Sequence, residues 1–284
     1  MVNHFIPKSY KEALEYRASH NCYILAGGTD LMVQKFVSSS LLPNFEKDVL
    51  YIAQLEELNY VRKDEEGSVH IGATTKYVDI VSHKDTPKLM KDIILEIAGP
   101  NIRNMATMVG NIGNASPAGD SLVGLYLLDA KLELASRSGS RIIKLQDFIL
   151  GVRKIDLHND EIIKEIIIPS HNLVTYWQKV GSRKAESISK ATFAGAYRIE
   201  NGILKDFRLA FGSVFITVVR KQELEAKYIN KKVSDIDVDE VVNEYSKVIS
   251  PITDQRSTKD YRFKVEMNIL RKFLNSMKGV ENEK

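Results

Sequence analysis

The stretch Tyr23-Ile24-Leu25-Ala26-Gly27-Gly28-Thr29-Asp30-Leu31 carries the most suggestive chemistry in this 284-residue sequence. An apolar, strand-like run ends in a glycine pair and is followed by a hydroxyl, a carboxylate and a fresh apolar run. Adjacent glycines let the backbone take φ > 0 and turn its amides outward, with no Cβ to hold a ligand away. Successive outward amides form an anion-binding concavity, and a helix beginning at Thr29 or Asp30 would add its positive end. The arrangement suits a pyrophosphate. An ordinary strand-to-helix turn is the plainer alternative.

A second stretch, from Asn101 to Asp120, is filled with small, amide-bearing and turn-forming residues and has few large apolar side chains after Met108. Buried backbone of that composition needs hydrogen-bond partners that apolar neighbours do not provide. A ligand with phosphate, ribityl and ring acceptors would supply them; a surface loop bonded to its own turns is the alternative.

Other chemistries are poorly served. Forty basic residues against 37 acidic leave a net charge of +3, without the one-sided field of a nucleic-acid binder. Cys22 is the only cysteine, so the chain cannot form an internal disulfide or hold an iron–sulfur cluster of its own. The six histidines are scattered and none pairs at metal-ligand spacing, so no metal site and no catalytic constellation is expected. The first residues lack the apolar core of a signal peptide, and no apolar run approaches a membrane span. A cytoplasmic protein without membrane insertion is expected.

Several elements must position these stretches. A helix is predicted over 7–19, a strand over 22–26, a helix over 30–36 and a strand over 49–53, the rhythm of a small parallel α/β unit. The rhythm then changes. Strands at 60–63 and 69–72 flank a polar turn, helices follow at 76–82 and 87–98, and further strands at 131–135, 141–144 and 161–168 imply antiparallel pairing. From about Asn172, strands at 175–180, 193–200 and 203–211 precede helices at 221–228, 237–248 and 259–277. Asn201-Gly202 is the strongest hairpin signal in the chain. Residues 279–284 are expected to fray.

Taken together, the two glycine stretches resemble the FAD-binding medium subunit of the molybdenum hydroxylases, the xanthine dehydrogenase and carbon monoxide dehydrogenase family. Ala26 to Leu31 match its A-G-G-T-D-L motif unchanged. Ile102, Arg103, Asn104, Thr107, Gly110, Asn111, Ile112, Ala115, Pro117 and Asp120 match its second motif, with Val109 where the family has glycine. The resemblance continues through Ile71-Gly72-Ala73, Asp129-Ala130, Lys179, Gly181 and Arg183 to Asp254, Arg256, Ser257, Tyr261 and Arg262.

The resemblance implies an α+β fold: a two-subdomain FAD-binding domain of the molybdopterin-dehydrogenase (PCMH-like) type over 1–171, divided near 56, then a small domain of three antiparallel strands plus helices over 172–284. It implies that Ile24, Leu25, Ala26, Gly27, Gly28, Thr29, Asp30 and Leu31, with Thr107, Gly110 and Asn111, clasp the FAD diphosphate and ribityl chain. Val109 would be strained if its place required φ > 0. Ala115 falls within the same motif, Asp120 would stand at the flavin end, and Ile97 and Ile163 would contact the cofactor. Lys179 would lie near the ring, where a cation suits the added charge of reduction; without the resemblance it would read as a solvated strand residue. Arg183, Lys184 and Glu186 lie on a segment that in relatives borders the nicotinamide-binding face.

The implied function is electron transfer: from 2Fe–2S clusters on a small subunit to a non-covalent FAD here, and on to NAD or another acceptor. Substrate, with xanthine favoured, would be oxidised on a molybdopterin-binding large subunit. A dimer of heterotrimers is implied. A self-sufficient flavin oxidase or reductase, and a non-catalytic nucleotide-binding assembly module, are the rivals.

Overall fold

The computed structural model describes residues 2–39 and 41–282, which gather into two compact units. The first comprises Met1–Pro87, Ala98–Ser116 and Asp129–Ser170; the second comprises Lys88–Ile97, Pro117–Leu128 and His171–Lys284.

The first unit opens with β1 (His4–Phe5), α1 (Tyr10–Ser19), β2 (Cys22–Leu25), α2 (Leu31–Gln34) and β3 (Asp48–Tyr51). The strands form the expected parallel sheet in the order β1-β3-β2. Helix α1 begins three residues after Pro7, because the Ser9 side chain accepts from the Glu12 amide and fixes the start. Helix α2 is a single turn, shorter than predicted. Met32, Val33 and Phe36 are exposed, so no packed face extends it.

Five antiparallel strands follow in the order β4-β5-β10-β6-β7: β4 (Val61–Lys63), β5 (Val69–Gly72), β6 (Lys131–Ser136), β7 (Gly139–Lys144) and β10 (Ile162–Ile168). Helices α3 (Tyr77–Ser82), α5 (Pro100–Arg103), α6 (Met108–Asn114) and α8 (Leu145–Phe148) belong to this unit, as does the hairpin of β8 (Ile149–Gly151) and β9 (Lys154–Ile155). Helices α5 and α6 occupy the stretch read as a loop, and α6 packs against β10.

The second unit is built on β11 (Val174–Val180), β12 (Ala191–Glu200) and β13 (Ile203–Gly212), an antiparallel meander. Asn201 (φ 52°) and Gly202 (φ 73°) both take the left-handed region that a type I′ hairpin needs. Helices α4 (Lys88–Leu95), α7 (Asp120–Leu127), α9 (Gln222–Glu225), α10 (Val238–Ser246) and α11 (Lys259–Asn282) complete it. Phe193, Phe211 and Phe273 form the aromatic centre of its core, and Gly195 lets the Phe273 ring lie against β12. Every residue of α7 is buried. The carbonyls at its C-terminal end take hydrogen bonds from His171 and from Arg208 and Arg220, cationic side chains of the kind such an end favours. Helix α11 runs past Met277 to Asn282, five residues beyond the predicted end; Glu283 and Lys284 of the expected frayed tail lie outside the described residues.

The α+β architecture, the parallel opening and the C-terminal three-stranded sheet with helices are therefore as the sequence implies.

Candidate functional site

The glycine turn leaves β2 at Leu25 and enters α2 at Leu31. Gly28 stands at φ +70°, a conformation that only glycine adopts without strain. Gly27 has a different reason to be glycine. A Cβ there would lie 2.2 Å from the Met105 carbonyl oxygen and 2.9 Å from the Ala106 Cα. Its missing side chain admits the chain's own backbone, where the sequence reading gave the space to a ligand. Among the described residues, no hydrogen bond uses the backbone N–H of Gly27, Gly28, Thr29, Asp30 or Leu31. Such a run of unmatched, half-exposed donors is rare within a protein and fits an anion. The dipole of α2 adds little, because the helix is only four residues long.

The second motif meets this turn from α6. Thr107 is its N-cap: the hydroxyl accepts from Gly110 N at 3.0 Å and the carbonyl from Asn111 N at 3.1 Å. The Gly110 and Asn111 amides are thereby committed inside the helix, so a ligand contact at these residues would come from their other atoms. Helix geometry instead leaves the Met108 and Val109 amides without an intrahelical acceptor. Val109 is buried in the first turn of α6 and is not among the residues at positive φ, so the strain anticipated for it does not arise. Ala115 ends the helix at φ 47° and accepts from the amide of Arg153, itself at φ 54°. Gln34 links the two motifs: its amide donates to Asp30 and to Asn114 Oδ1 (3.0 Å), and it accepts from Arg153 (3.2 Å). Sequence reasoning missed Gln34, Asn114 and Arg153. Ile163 is buried in β10, opposite Leu134 of β6.

In the second unit, Asp120 opens α7 with its carboxylate buried between two donors. Lys179 Nζ lies 2.7 Å from Oδ2, and Ser189 Oγ lies 2.5 Å from Oδ1. Lys179 also donates to the Glu96 carbonyl at 2.7 Å, next to Ile97, and Trp177 Nε1 donates to the Glu96 carboxylate at 3.0 Å. The Lys179 side chain is only 8% exposed. It is no solvated strand residue, and its charge already has a counter-charge. Burial pushes the Asp120 carboxyl above its usual range, against the opposing charge of Lys179 and the Ser189 hydroxyl. Two residues that the resemblance implies at the flavin end thus form one ion pair. Ser189, the third member, gave no signal in the sequence.

Elsewhere in the first unit His70 bridges two carboxylates, with Nδ1 2.7 Å from Glu165 and Nε2 3.0 Å from Asp64. Tyr60 and Arg62 also donate to Glu165. This knits β4, β5 and β10 together. Among the described residues, no group of three or more His, Cys, Asp or Glu could hold a metal, and no helix is long and apolar enough to cross a membrane.

Comparison with known proteins decides the family. Residues 1–171 match the FAD binding domain in molybdopterin dehydrogenase, and residues 177–277 match the CO dehydrogenase flavoprotein C-terminal domain. The chain belongs to the FAD-binding medium subunits of the molybdenum hydroxylases. The glyceraldehyde dehydrogenase medium chain of Sulfolobus acidocaldarius is 35% identical to this medium subunit, over 91% of this chain and 92% of that one. The xanthine dehydrogenase FAD-binding subunit of Escherichia coli O157:H7 is 28% identical over 88% and 87%. A carbon monoxide dehydrogenase structure from Hydrogenophaga pseudoflava shares the fold, with a TM-score of 0.86 at 23% identity and 95% coverage of both chains.

Proposed function

We propose that this chain holds FAD non-covalently and carries electrons from 2Fe–2S clusters on a small subunit to a terminal acceptor, with NAD in first place. The observation that carries the reading is the run of unmatched amides from Gly27 to Leu31 at a positive-φ glycine. An FAD diphosphate needs several donors and no nearby carboxylate, and Gln34 fixes the Asp30 carboxylate by hydrogen bonding to it. The Met108 and Val109 amides at the start of α6 are further donors of the same kind. When bound, FAD supplies the exchange between two-electron and one-electron transfer that such a relay requires.

The roles of Ile24 to Leu31, Thr107, Val109, Gly110, Asn111 and Ala115 at the diphosphate and ribityl chain, and of Ile163, are part of this proposal. So are those of Ile97, Asp120 and Lys179 at the flavin end. With Asp120 at 2.7 Å, Lys179 offers less than a full positive charge, and the pair responds to new negative charge by a change in its own balance.

Substrate oxidation belongs to a molybdopterin-binding large subunit, in a cytoplasmic assembly of dimerised heterotrimers. Xanthine is the substrate favoured on overall resemblance. An aldehyde such as glyceraldehyde stands beside it, because the glyceraldehyde dehydrogenase relative has the higher identity. Purification of the complex from its host tests the reading. The expected result is a yellow complex with iron, molybdenum and two further chains, active on one of these substrates. A colourless, flavin-free preparation of the intact complex would contradict it.

A further inference from the structure

The tail motif Asp254, Arg256, Ser257, Tyr261 and Arg262 matches the family pattern, and the cofactor reading gives it no role. In the structure it surrounds a buried guanidinium. Arg262, in the first turn of α11, is 3% exposed. Its Nη2 donates to Asp254 Oδ1 at 2.8 Å, and Asp254 also accepts from the amides of Arg256 (2.8 Å) and Ser257 (3.1 Å). Those donors hold the Asp254 carboxyl below its usual range although burial opposes them.

The other amino group reaches two carbonyls, one just before β12 and one just after β13. Nη1 lies 2.6 Å from Lys190 O and 3.0 Å from Ser213 O. Lys190 follows Ser189, whose hydroxyl holds Asp120, and its own amide is bonded to Val180 O, beside Lys179. Ser213, at φ 64°, donates its amide to Pro117 O, three residues before Asp120. One guanidinium therefore fixes the segment carrying Ser189 and, through Ser213, the segment entering α7.

A generic core ion pair does not explain this choice of partners. Glu266 lies four residues further along α11, fully buried, with both carboxylate oxygens unpartnered. Glu266 stands at helical i,i+4 spacing, but burial drives its carboxyl far up toward the neutral form, and Arg262 is committed instead to the backbone carbonyls and to Asp254. Those carbonyls would otherwise be buried without a donor, which is costly.

We propose that Arg262, braced by Asp254, is a positioning residue that sets the geometry of the Asp120–Lys179–Ser189 cluster. The inference rests on the flavin-end role given to that cluster, and its test separates the two. Arg262→Lys keeps the charge beside Asp254 but loses the forked grip on Lys190 and Ser213. In the full chain, carboxyl NMR follows the titration of Asp120 without reference to any cofactor. In the assembled complex, a redox titration follows the flavin midpoint potential.

Arg262→Lys is expected to displace the Asp120 midpoint by about one pH unit, the usual scale of environmental shifts. It is also expected to move the flavin potential in the wild-type background and leave it unmoved in a Lys179→Met background. An Asp120 titration that does not move, or an equal potential shift in both backgrounds, overturns the brace. A displaced Asp120 midpoint with no change of potential in either background supports the brace and removes the cluster from the flavin. Should Arg262→Lys not fold, Asp254→Asn takes its place: it retains the arginine, and the brace requires a smaller displacement of the Asp120 midpoint. An unchanged midpoint in that variant overturns the proposal.

Discussion

The glycine turn of the first unit and the Asp120 cluster of the second solve opposite problems. The turn presents five backbone amides with no acceptor among the described residues. The cluster is closed on itself, with Asp120, Lys179 and Ser189 within 2.7 Å of one another in sequence of contact, and its side chains buried. In the proposed reading the first takes an anion and would owe its affinity to backbone shape. The second is an ion pair already in place and, in the proposed reading, would act by a shift in its balance. Backbone donors do not titrate, and substitutions other than proline leave them in place, so a site built from them would bind independently of pH. A buried ion pair responds to charge and to pH.

Substitutions probe that contrast unequally. The largest effect is expected at Gly27, where alanine places a Cβ 2.2 Å from a backbone oxygen that cannot yield. Gly27→Ala should destabilise the chain by about 4 kcal/mol or more and lose FAD with the fold, seen as a large fall in Tm. Stability unchanged with FAD lost would return Gly27 to a direct ligand role.

Lys179→Met comes next. Removing one partner of a buried pair typically costs about 3–5 kcal/mol. Burial raises the Asp120 carboxyl in the folded chain, so without Lys179 the folded state binds the proton more tightly than the unfolded one. The loss should therefore be greatest at neutral pH and shrink as pH falls, as denaturant midpoints measured across pH would show. The flavin potential should fall with FAD still bound. A pH-independent loss, or an unmoved potential, would separate Lys179 from this role.

Gly28→Ala is milder for the fold. The residue must hold φ +70°, at a cost of roughly 1–2 kcal/mol, while its nearest neighbours are the flexible tips of Leu25 and Met32. FAD content should drop more than stability does, and the reverse order would argue against the cradle. Gly113→Ala is the smallest change. It lies within α6 with nothing within 4 Å of a new Cβ, so helix propensity should raise stability by about 0.5–1 kcal/mol with FAD retained.

The sequence showed the strands well, because alternation and turn residues are local signals: the Asn201-Gly202 hairpin falls as read. Helix α6 was hidden by glycine and asparagine, poor helix formers that are carried here by the Thr107 cap and by packing, and α5 is a single turn started by Pro100. Helix α7 was hidden for the opposite reason. It is buried all round, so it shows no amphipathic period. At the site, the need for glycine at 28 was legible from the local pattern. The need at 27 was not, since Met105 lies far along the chain. The Asp120–Lys179 pair and Ser189 are likewise long-range partners that no local spacing announces.

The central claim is that the Gly27–Leu31 amides hold the FAD diphosphate. Hydrogen exchange of the assembled complex, with FAD and after its removal, reads those amides directly. Slower exchange at residues 27–31 on FAD binding is the predicted result. Stoichiometric FAD binding with unchanged exchange there would contradict the account.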